Sequence, residues 1–179
     1  DLHAGRIQGF FDVPVDNLYA SPILLPYIRE HFDRDVVIVS PDAGGVPRAR
    51  AYAKLLKASL AMIDKRRSEV NEAEALNIIG EVTGKSAIVL DDMVDTAGTL
   101  VEATKSLLEK GATSVHACVT HAVLSGPAVD RIEKSPLRGL IVTDTLPLRP
   151  QAAHCRKIEC VPSCRLFSAA IRNIHNEDS

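Results

Sequence analysis

The segment Ile88-Val89-Leu90-Asp91-Asp92-Met93-Val94-Asp95-Thr96-Ala97-Gly98-Thr99-Leu100 decides the fold. It begins inside a short apolar run, residues 86–90, that has the length of a buried strand. A short loop then leads into a helix whose apolar side chains recur at helical spacing, and Thr99 and Glu102 are spaced to form a capping box. The segment therefore predicts a strand–loop–helix unit.

Short apolar runs alternate with helical patterns along the rest of the chain. Strands are predicted at residues 36–40, 60–63, 86–90, 115–120, 139–143 and 157–161. Helices are predicted at residues 47–57, between the loop at 95–99 and residue 111, in a short stretch ending near residue 134, and from residue 163. Residues 64–80 are predicted to be a loop with a partial helix. Strands that alternate with helices predict an α/β fold with a parallel sheet and helices on both faces.

The composition is that of an ordinary globular domain. Apolar residues make up 46% of the 179 residues, charged residues 25%, and the net charge is −2. A chain of this length buries about 70% of its unfolded surface, which is enough for a core. With no basic excess and only 4% aromatic residues, nucleic acid is not expected as a partner. No apolar run approaches the roughly 20 residues of a membrane span, so no membrane partner is expected either.

The cysteines and the first residues of the chain indicate the cellular compartment in which the protein works. Cys118, Cys155, Cys160 and Cys164 form no Cys-x-x-Cys pair and do not have zinc-site spacing. Free thiols in a reducing cytoplasm are therefore the expectation. No signal peptide is visible, and a chain that starts at Asp1 without Met is expected to be trimmed, processed or partial.

The loop at residues 95–99 has the chemistry of a phosphate site. Backbone N–H groups at a helix start are unpaired and lie at the positive end of the helix dipole, and Gly98 allows close approach. Asp91 and Asp92 would repel phosphate, but they suit a neighbouring sugar diol or Mg²⁺. A plain strand–turn–helix with solvated acids and a threonine cap explains the segment about equally well. Receiver domains also carry an Asp-Asp pair, but their further acid and lysine positions cannot be placed here.

Other polar clusters follow predicted strands, and parallel sheets bind ligands at the carboxyl ends of their strands. These clusters are Asp42-Ala43-Gly44-Gly45, Lys65-Arg66-Arg67 and residues 121–126. The glycines of the first cluster would let backbone N–H groups approach a diphosphate, although a routine turn explains them too. By itself, Lys65-Arg66-Arg67 is more readily a solvated basic turn.

Residues 88–100 resemble the phosphoribosyl pyrophosphate motif of type I phosphoribosyltransferase folds. Further motifs, in the same order, resemble the ribose-phosphate pyrophosphokinase (phosphoribosyl pyrophosphate synthetase) family, and the likeness covers nearly the whole chain. These motifs are Asp1-Leu2-His3-Ala4, residues 7–18, Ser40-Pro41-Asp42-Ala43-Gly44-Gly45, Asp64-Lys65-Arg66-Arg67 and residues 120–128.

The resemblance implies an activity and a set of site residues. The family transfers the β,γ-diphosphoryl group of ATP to the 1-hydroxyl of ribose 5-phosphate, which gives phosphoribosyl pyrophosphate and AMP. Lys65 and Arg67 would be catalytic, and Arg67 would also contact ribose 5-phosphate. Ribose 5-phosphate would be held by Asp91, Asp92, Asp95, Thr96, Ala97, Gly98 and Thr99. ATP and its diphosphate would be held by His3, Asp42, Ala43, Gly44 and Gly45, with His3 and Asp42 also binding Mg²⁺.

The resemblance also implies a domain organisation. Residues 1–17 would end an N-terminal phosphoribosyltransferase-like domain that is absent from this chain, residues 18–162 would form the C-terminal domain, and residues 163–179 would be a closing helix packed on the absent domain. The family assembles as a homo-oligomer, a hexamer built from dimers. Phosphate or ADP would regulate it at a site that includes Gln8, Asp16 and Ser179. Without the adenine site, the chain alone is expected to be inactive.

Two other functions remain open. A non-catalytic regulatory relative would keep the fold and join active subunits, but degraded catalytic motifs would mark it, and none is seen. A phosphoribosyltransferase would use the product to modify a base, but residues 1–18 argue against that class.

Overall fold

A seven-stranded sheet lies at the centre of the computed structural model, which describes residues 1–32, 35–65 and 76–177, with only the main chain for Lys65. The strands are β1 (Val36–Ser40), β2 (Ser59–Lys65), β3 (Leu76–Ile79), β4 (Ser86–Val94), β5 (Ser114–Ala122), β6 (Gly139–Thr143) and β7 (Ile158–Val161). Their order across the sheet is β3-β2-β1-β4-β5-β6-β7. Every pair is parallel except β2 and β3, in which Lys65 stands opposite Leu76.

Six α-helices accompany the strands in the described ranges. They are α1 (Ser21–His31), α2 (Val46–Leu56), α3 (Gly98–Glu109), α4 (Ala128–Lys134), α5 (Pro150–His154) and α6 (Cys164–Asn176), and a 3₁₀ turn lies at Gly5–Phe10. Among the described residues, none of the helices is long and apolar enough to cross a membrane.

The helices cover both faces of the sheet because successive strand residues point to opposite sides. On one face, Val37 and Val39 of β1 belong to a core with residues of α3, α4 and α5. On the other face, Val36 and Ile38 pack in a second core with α1 and α2. The predicted parallel sheet with helices on both faces is confirmed.

The structure corrects the predicted elements in several places. Helix α1 was not predicted, and Pro26 in its interior argues against a helix there, whereas Pro22 lies in its first turn, where proline is tolerated. It forms because Leu24, Leu25 and Ile28 are buried in the core shared with α2. Helix α5, only five residues long, was also missed.

The predicted loop at residues 64–80 is wrong at both of its ends. Residues 64 and 65 continue β2, and Leu76–Ile79 forms the antiparallel edge strand β3. A strand this short, with one buried side chain, leaves little periodicity to detect. Residues 66–75 lie outside the described residues.

Strand β4 is longer than predicted. It continues to Val94, so Asp91 and Asp92 lie within the strand and not at its end, where they were predicted. The predicted capping box is also wrong, because α3 already begins at Gly98, after a left-handed Ala97, and no side chain in the described structure caps it.

Candidate active site

A cavity of about 250 Å³ opens at the carboxyl ends of β1, β4 and β5. It brings Asp42, Asp91 and residues 95–99 together, although they come from separate motifs in the sequence. Asp92, Ala43, Gly44 and Gly45 are not among its lining residues. The described residues that line it are Pro41, Asp42, Val89, Asp91, Met93, Val94, Asp95, Thr96, Ala97, Gly98, Thr99, Leu100 and Val119.

The loop between β4 and α3 turns sharply at Ala97. This residue is 4% exposed and has a φ of 59°, in the left-handed region that alanine rarely adopts. Its carbonyl accepts the N–H of Val101, the first bond of α3. Because no described side chain caps α3, the first backbone N–H groups of the helix remain available to an anion in the cavity.

Residues that follow β5 donate hydrogen bonds to the loop between β4 and α3. Ser125 donates its backbone N–H to the carbonyl of Asp95 at 3.1 Å, and its hydroxyl donates to Asp95 Oδ1. Arg131 of α4 donates from Nη1 to the carbonyl of Thr96 at 3.0 Å. The predicted cluster at residues 121–126 therefore contributes to the site through Ser125. Sequence reasoning missed the role of Arg131, because no motif includes it.

Asp91 and Asp92 occupy different environments. Asp91 lines the cavity, and burial together with its neighbour Asp92 raises the pKa of Asp91 to about 7. Burial opposes ionisation of Asp92 as well, but hydrogen bonds with Asp91 and His3 and the charge of Arg48 hold the pKa of Asp92 below its ordinary value. Near neutral pH the pair therefore carries fewer than two negative charges.

Arg48 faces this acidic pair from the first turn of α2. Its Nη1 lies 3.5 Å from Asp92 Oδ1 and 3.7 Å from Asp91 Oδ1, and its Nε lies 3.9 Å from Asp1 Oδ1. Sequence reasoning missed Arg48, since it lies 44 positions from Asp92 and the helical pattern does not distinguish it from solvated basic residues of the same helix. One cation thus approaches three carboxylates.

The first residues pack against the ends of β4 and β5. His3 Nδ1 lies 2.7 Å from Asp92 Oδ2, within hydrogen-bonding distance. Thr120 donates its hydroxyl to Asp1 Oδ2 at 2.7 Å, and His121 Nε2 lies 2.6 Å from the Asp1 carbonyl. These contacts place His3 beside the acidic pair.

The turn after β1 is held by its own hydrogen bonds. Ser40 donates its hydroxyl to the carbonyl of Asp42 at 2.7 Å, and Gly45 donates its N–H to Asp42 Oδ1 at 2.9 Å. A Cβ at position 45 would lie 2.7 Å from Ser40 Oγ, so the turn requires glycine for close packing. Within the described part of the chain, Oδ2, the other carboxylate oxygen of Asp42, accepts no hydrogen bond.

The remaining predicted site residues are not brought to this cavity. Gln8 donates its side-chain amide to the carbonyl of Gly5 at 3.1 Å. Asp16 lines a separate cavity of about 200 Å³ near the start of α6. Arg67 and Ser179 lie outside the described residues, as does the side chain of Lys65.

Comparison with known proteins identifies the family. The family model described as the phosphoribosyl synthetase-associated domain matches residues 67–179, more than half of the chain. The chain belongs to this family. The family predicted from the motifs is thereby confirmed.

Relatives of the phosphoribosyl synthetase family match the whole chain. It is 55% identical to the ribose-phosphate pyrophosphokinase of Bordetella pertussis over 179 residues, which are 100% of this chain and 58% of that protein. It is 54% identical to the enzyme of the same name from Burkholderia pseudomallei, again over 100% of this chain and 56% of that protein. The chain thus spans just over half the length of these curated relatives.

A solved structure agrees with the fold. The phosphoribosylpyrophosphate synthetase of Mycobacterium smegmatis superposes with a TM-score of 0.89 at 40% identity, over 99% of this chain and 57% of that one. The predicted type I phosphoribosyltransferase-like fold is confirmed.

Proposed function

We propose that the protein to which this chain belongs is a ribose-phosphate diphosphokinase. It would transfer the β,γ-diphosphoryl group of ATP to the 1-hydroxyl of ribose 5-phosphate, which gives phosphoribosyl pyrophosphate and AMP. The observation that carries the proposal is the single cavity lined by Asp42, by Asp91 and by the uncapped loop at residues 95–99. The likeness to enzymes named for this reaction supports it.

The sugar phosphate would occupy the part of the cavity next to α3. Backbone N–H groups and the Thr96 and Thr99 hydroxyls would bind the 5-phosphate, since the start of a helix favours an anion. Asp91 would accept hydrogen bonds from the ribose hydroxyls. Asp92 would contribute less directly, because its carboxylate oxygens already meet His3 and Arg48.

The diphosphate of ATP would lie toward the turn after β1. Asp42 lines the cavity, and Ala43, Gly44 and Gly45 would approach the phosphates through the backbone at the start of α2. In this arrangement the β-phosphate of ATP would face the 1-hydroxyl of the sugar across the cavity, so that a bond forms from that oxygen to the β-phosphorus while the bond from the β-phosphorus to the α-phosphate oxygen breaks and AMP leaves. Such positioning is most of what diphosphoryl transfer requires.

Lys65 and Arg67 would neutralise charge that develops on the transferring group. Lysine supplies a compact charge and arginine a planar fork, so the two roles are not interchangeable. Cations aimed at developing charge in a closed site give large rate effects, and closure would also exclude water that would otherwise hydrolyse ATP. Strand β2 runs parallel to β1 and ends at Lys65, so the main chain of Lys65 lies at the same edge of the sheet as the cavity.

Mg²⁺ belongs to this proposal, with His3 and Asp42 as the residues that would hold it. Among the described residues no group of three His, Cys, Asp or Glu side chains could hold a metal ion. Mg²⁺ commonly takes one or two carboxylates and fills its other positions with water and phosphate oxygens, so the free Oδ2 of Asp42 fits it. The ion would supply charge neutralisation on the phosphates of ATP.

The remaining parts of the proposal concern the whole protein. Residues 1–17 would end a preceding domain, residues 18–162 would form the second domain, and residues 163–179 would pack back on the first. The protein would work in the cytoplasm as a homo-oligomer, a hexamer of dimers, regulated by phosphate or ADP through Gln8, Asp16 and Ser179. The 179-residue chain by itself would not catalyse the reaction.

Two assays test the proposed function. Titration of ribose 5-phosphate into ¹⁵N-labelled chain is expected to shift the amide signals of residues 95–99, and unchanged signals would refute the sugar site. The full-length protein with ATP and ribose 5-phosphate is expected to release AMP. Release of pyrophosphate with a base would instead identify a phosphoribosyltransferase, and the absence of both would identify a regulatory relative.

A further inference from the structure

Arg48 differs from the other basic residues of α2 in what it contacts. Arg50 and Lys54 of the same helix are exposed. The side chain of Arg48 is 23% exposed and faces the nearly buried carboxylates of Asp1 and Asp92, which are 6% and 9% exposed. A buried carboxylate needs a cationic or hydrogen-bonding partner, so the position of Arg48 is determined by the acids around it.

The same guanidinium atom approaches both members of the acidic pair. Nη1 lies 3.5 Å from Asp92 Oδ1 and 3.7 Å from Asp91 Oδ1. Asp91 Oδ1 also accepts the backbone N–H of Asp92 at 2.9 Å. One hydrogen bond and one ion-pair contact therefore converge on Oδ1 of Asp91.

We propose that Arg48 is the positioning residue that fixes Asp91 for recognition of a vicinal diol, and that it thereby sets the preference for ribose over deoxyribose phosphates. The proposal rests on the proposed function, since it concerns the same sugar site. Arg48 is not among the described residues that line the cavity, so its proposed effect on the sugar is indirect. It acts by holding one oxygen of Asp91, so that the other accepts hydrogen bonds from the two ring hydroxyls.

The charge pattern favours this role over a general attraction for phosphate. Arg48 is surrounded by Asp1, Asp91 and Asp92, so its positive charge is more than offset within its own cluster. The loop that would bind the 5-phosphate is held instead by Ser125 and Arg131. Loss of Arg48 should therefore affect recognition of the sugar hydroxyls and leave recognition of the phosphate largely intact.

The test compares two sugar phosphates on the 179-residue chain by calorimetric titration. The ligands are ribose 5-phosphate and 2-deoxyribose 5-phosphate, which lacks one hydroxyl of the diol. The variants are Arg48→Met, Arg48→Lys and the matched control Arg50→Met, which removes the same charge from an exposed position of the same helix. Thermal unfolding of each variant reports whether it is folded, and Arg48→Lys decides the result if Arg48→Met is not.

The unsubstituted chain and Arg50→Met are expected to prefer ribose 5-phosphate. In the Arg48 variants the dissociation constant for ribose 5-phosphate should rise about tenfold, the effect of one hydrogen bond to a charged group, while that for 2-deoxyribose 5-phosphate should change by less than about twofold. Equal weakening of both ligands, or a preserved preference, would overturn the role of Arg48. Failure of the unsubstituted chain to bind either ligand would instead refute the proposed sugar site itself.

Discussion

The Nδ1 atom of His3 lies 2.7 Å from Oδ2 of Asp92, and this contact joins two residues that are 89 positions apart. The side chain of Asp92 is 9% exposed, whereas that of His3 is 67% exposed. The contact therefore anchors the first residues of the chain to an almost buried carboxylate on β4. It also fixes the position from which His3 would reach a metal or ATP.

Replacing His3 by alanine should weaken both the fold and the site. Asp92 would lose a hydrogen bond, which should lower the free energy of unfolding by about 1 kcal/mol, measured by urea denaturation. In the full-length protein the KM for ATP should rise. In the 179-residue chain His175→Ala is the matched control for unfolding, since His175 is exposed on α6, and equal losses of unfolding free energy in the two variants would contradict the role of the contact.

The affinity for ribose 5-phosphate should rise with pH through neutrality. Burial and Asp92 raise the pKa of Asp91 to about 7, so at lower pH its carboxyl is protonated and accepts fewer hydrogen bonds from the diol. Calorimetric titration between pH 5.5 and pH 8.5 measures the change. The second ionisation of the sugar phosphate, near pH 6, contributes to the same curve. Asp91→Asn provides the comparison, because it should keep the phosphate step and lose the step near pH 7.

Adding a methyl group at position 45 should disturb the turn that carries Asp42. In Gly45→Ala the new Cβ would stand 2.7 Å from Ser40 Oγ, and Ser40 is fully buried. The expected loss of unfolding free energy is about 1–3 kcal/mol, the usual cost of overpacking, together with weaker ATP binding. Gly9→Ala is a control, since nothing lies within 4 Å of its added Cβ.

A second variant isolates the cause of that loss. Combining Gly45→Ala with Ser40→Ala removes the clashing hydroxyl, so the double variant should be less destabilised than the sum of its single changes. Purely additive effects in this double-mutant cycle would show that the close approach does not limit the turn.

Lys65→Ala in the full-length protein should lower turnover far more than sugar affinity. If Lys65 stabilises charge only in the transition state, the expected loss is about 2.7–4 kcal/mol, or a kcat lower by about 10²- to 10³-fold. Lys54→Ala, an exposed change on α2, serves as the control in the same steady-state assay. A kcat equal to that of the control would exclude a catalytic lysine at this position.

The apolar face of α6 should behave differently in the chain and in the full-length protein. Phe167, Ile171 and Ile174 are 46%, 67% and 65% exposed, which is unusual for large apolar side chains on one helix. If α6 packs on a preceding domain, Ile171→Lys should lower the free energy of unfolding of the full-length protein by about 2 kcal/mol in thermal or urea unfolding. The same substitution should leave the free energy of unfolding of the isolated 179-residue chain unchanged. Asn173→Lys is the control, and equal effects in both contexts would contradict the packing.

Sequence reasoning predicted the parts of the molecule in which local pattern and tertiary structure agree. The strands at Val36–Ser40 and Gly139–Thr143 were predicted to the residue, because short, mainly apolar runs have few alternatives in an α/β chain. Helix α1 was missed, and it forms although Pro26 in its interior opposes a helix locally, because burial of Leu24 and Ile28 stabilises it.

In the candidate site, too, sequence motifs predicted some residues and not others. The motifs predicted that Asp42, Asp91 and residues 95–99 belong to one site, and the cavity brings them together. No sequence pattern predicted Arg48 or Arg131, because each acts on residues that are distant along the chain. Contacts between residues that are distant along the chain form only in the tertiary fold, so local sequence patterns do not predict them.

The antiparallel pairing of Lys65 with Leu76 has a consequence for how the molecule tolerates change. The chain leaves the sheet and returns to it at neighbouring points, so the ten intervening residues connect two ends that are already fixed. Pairing with Leu76 therefore holds the main chain of Lys65 at the carboxyl edge of the sheet independently of the length of that connection.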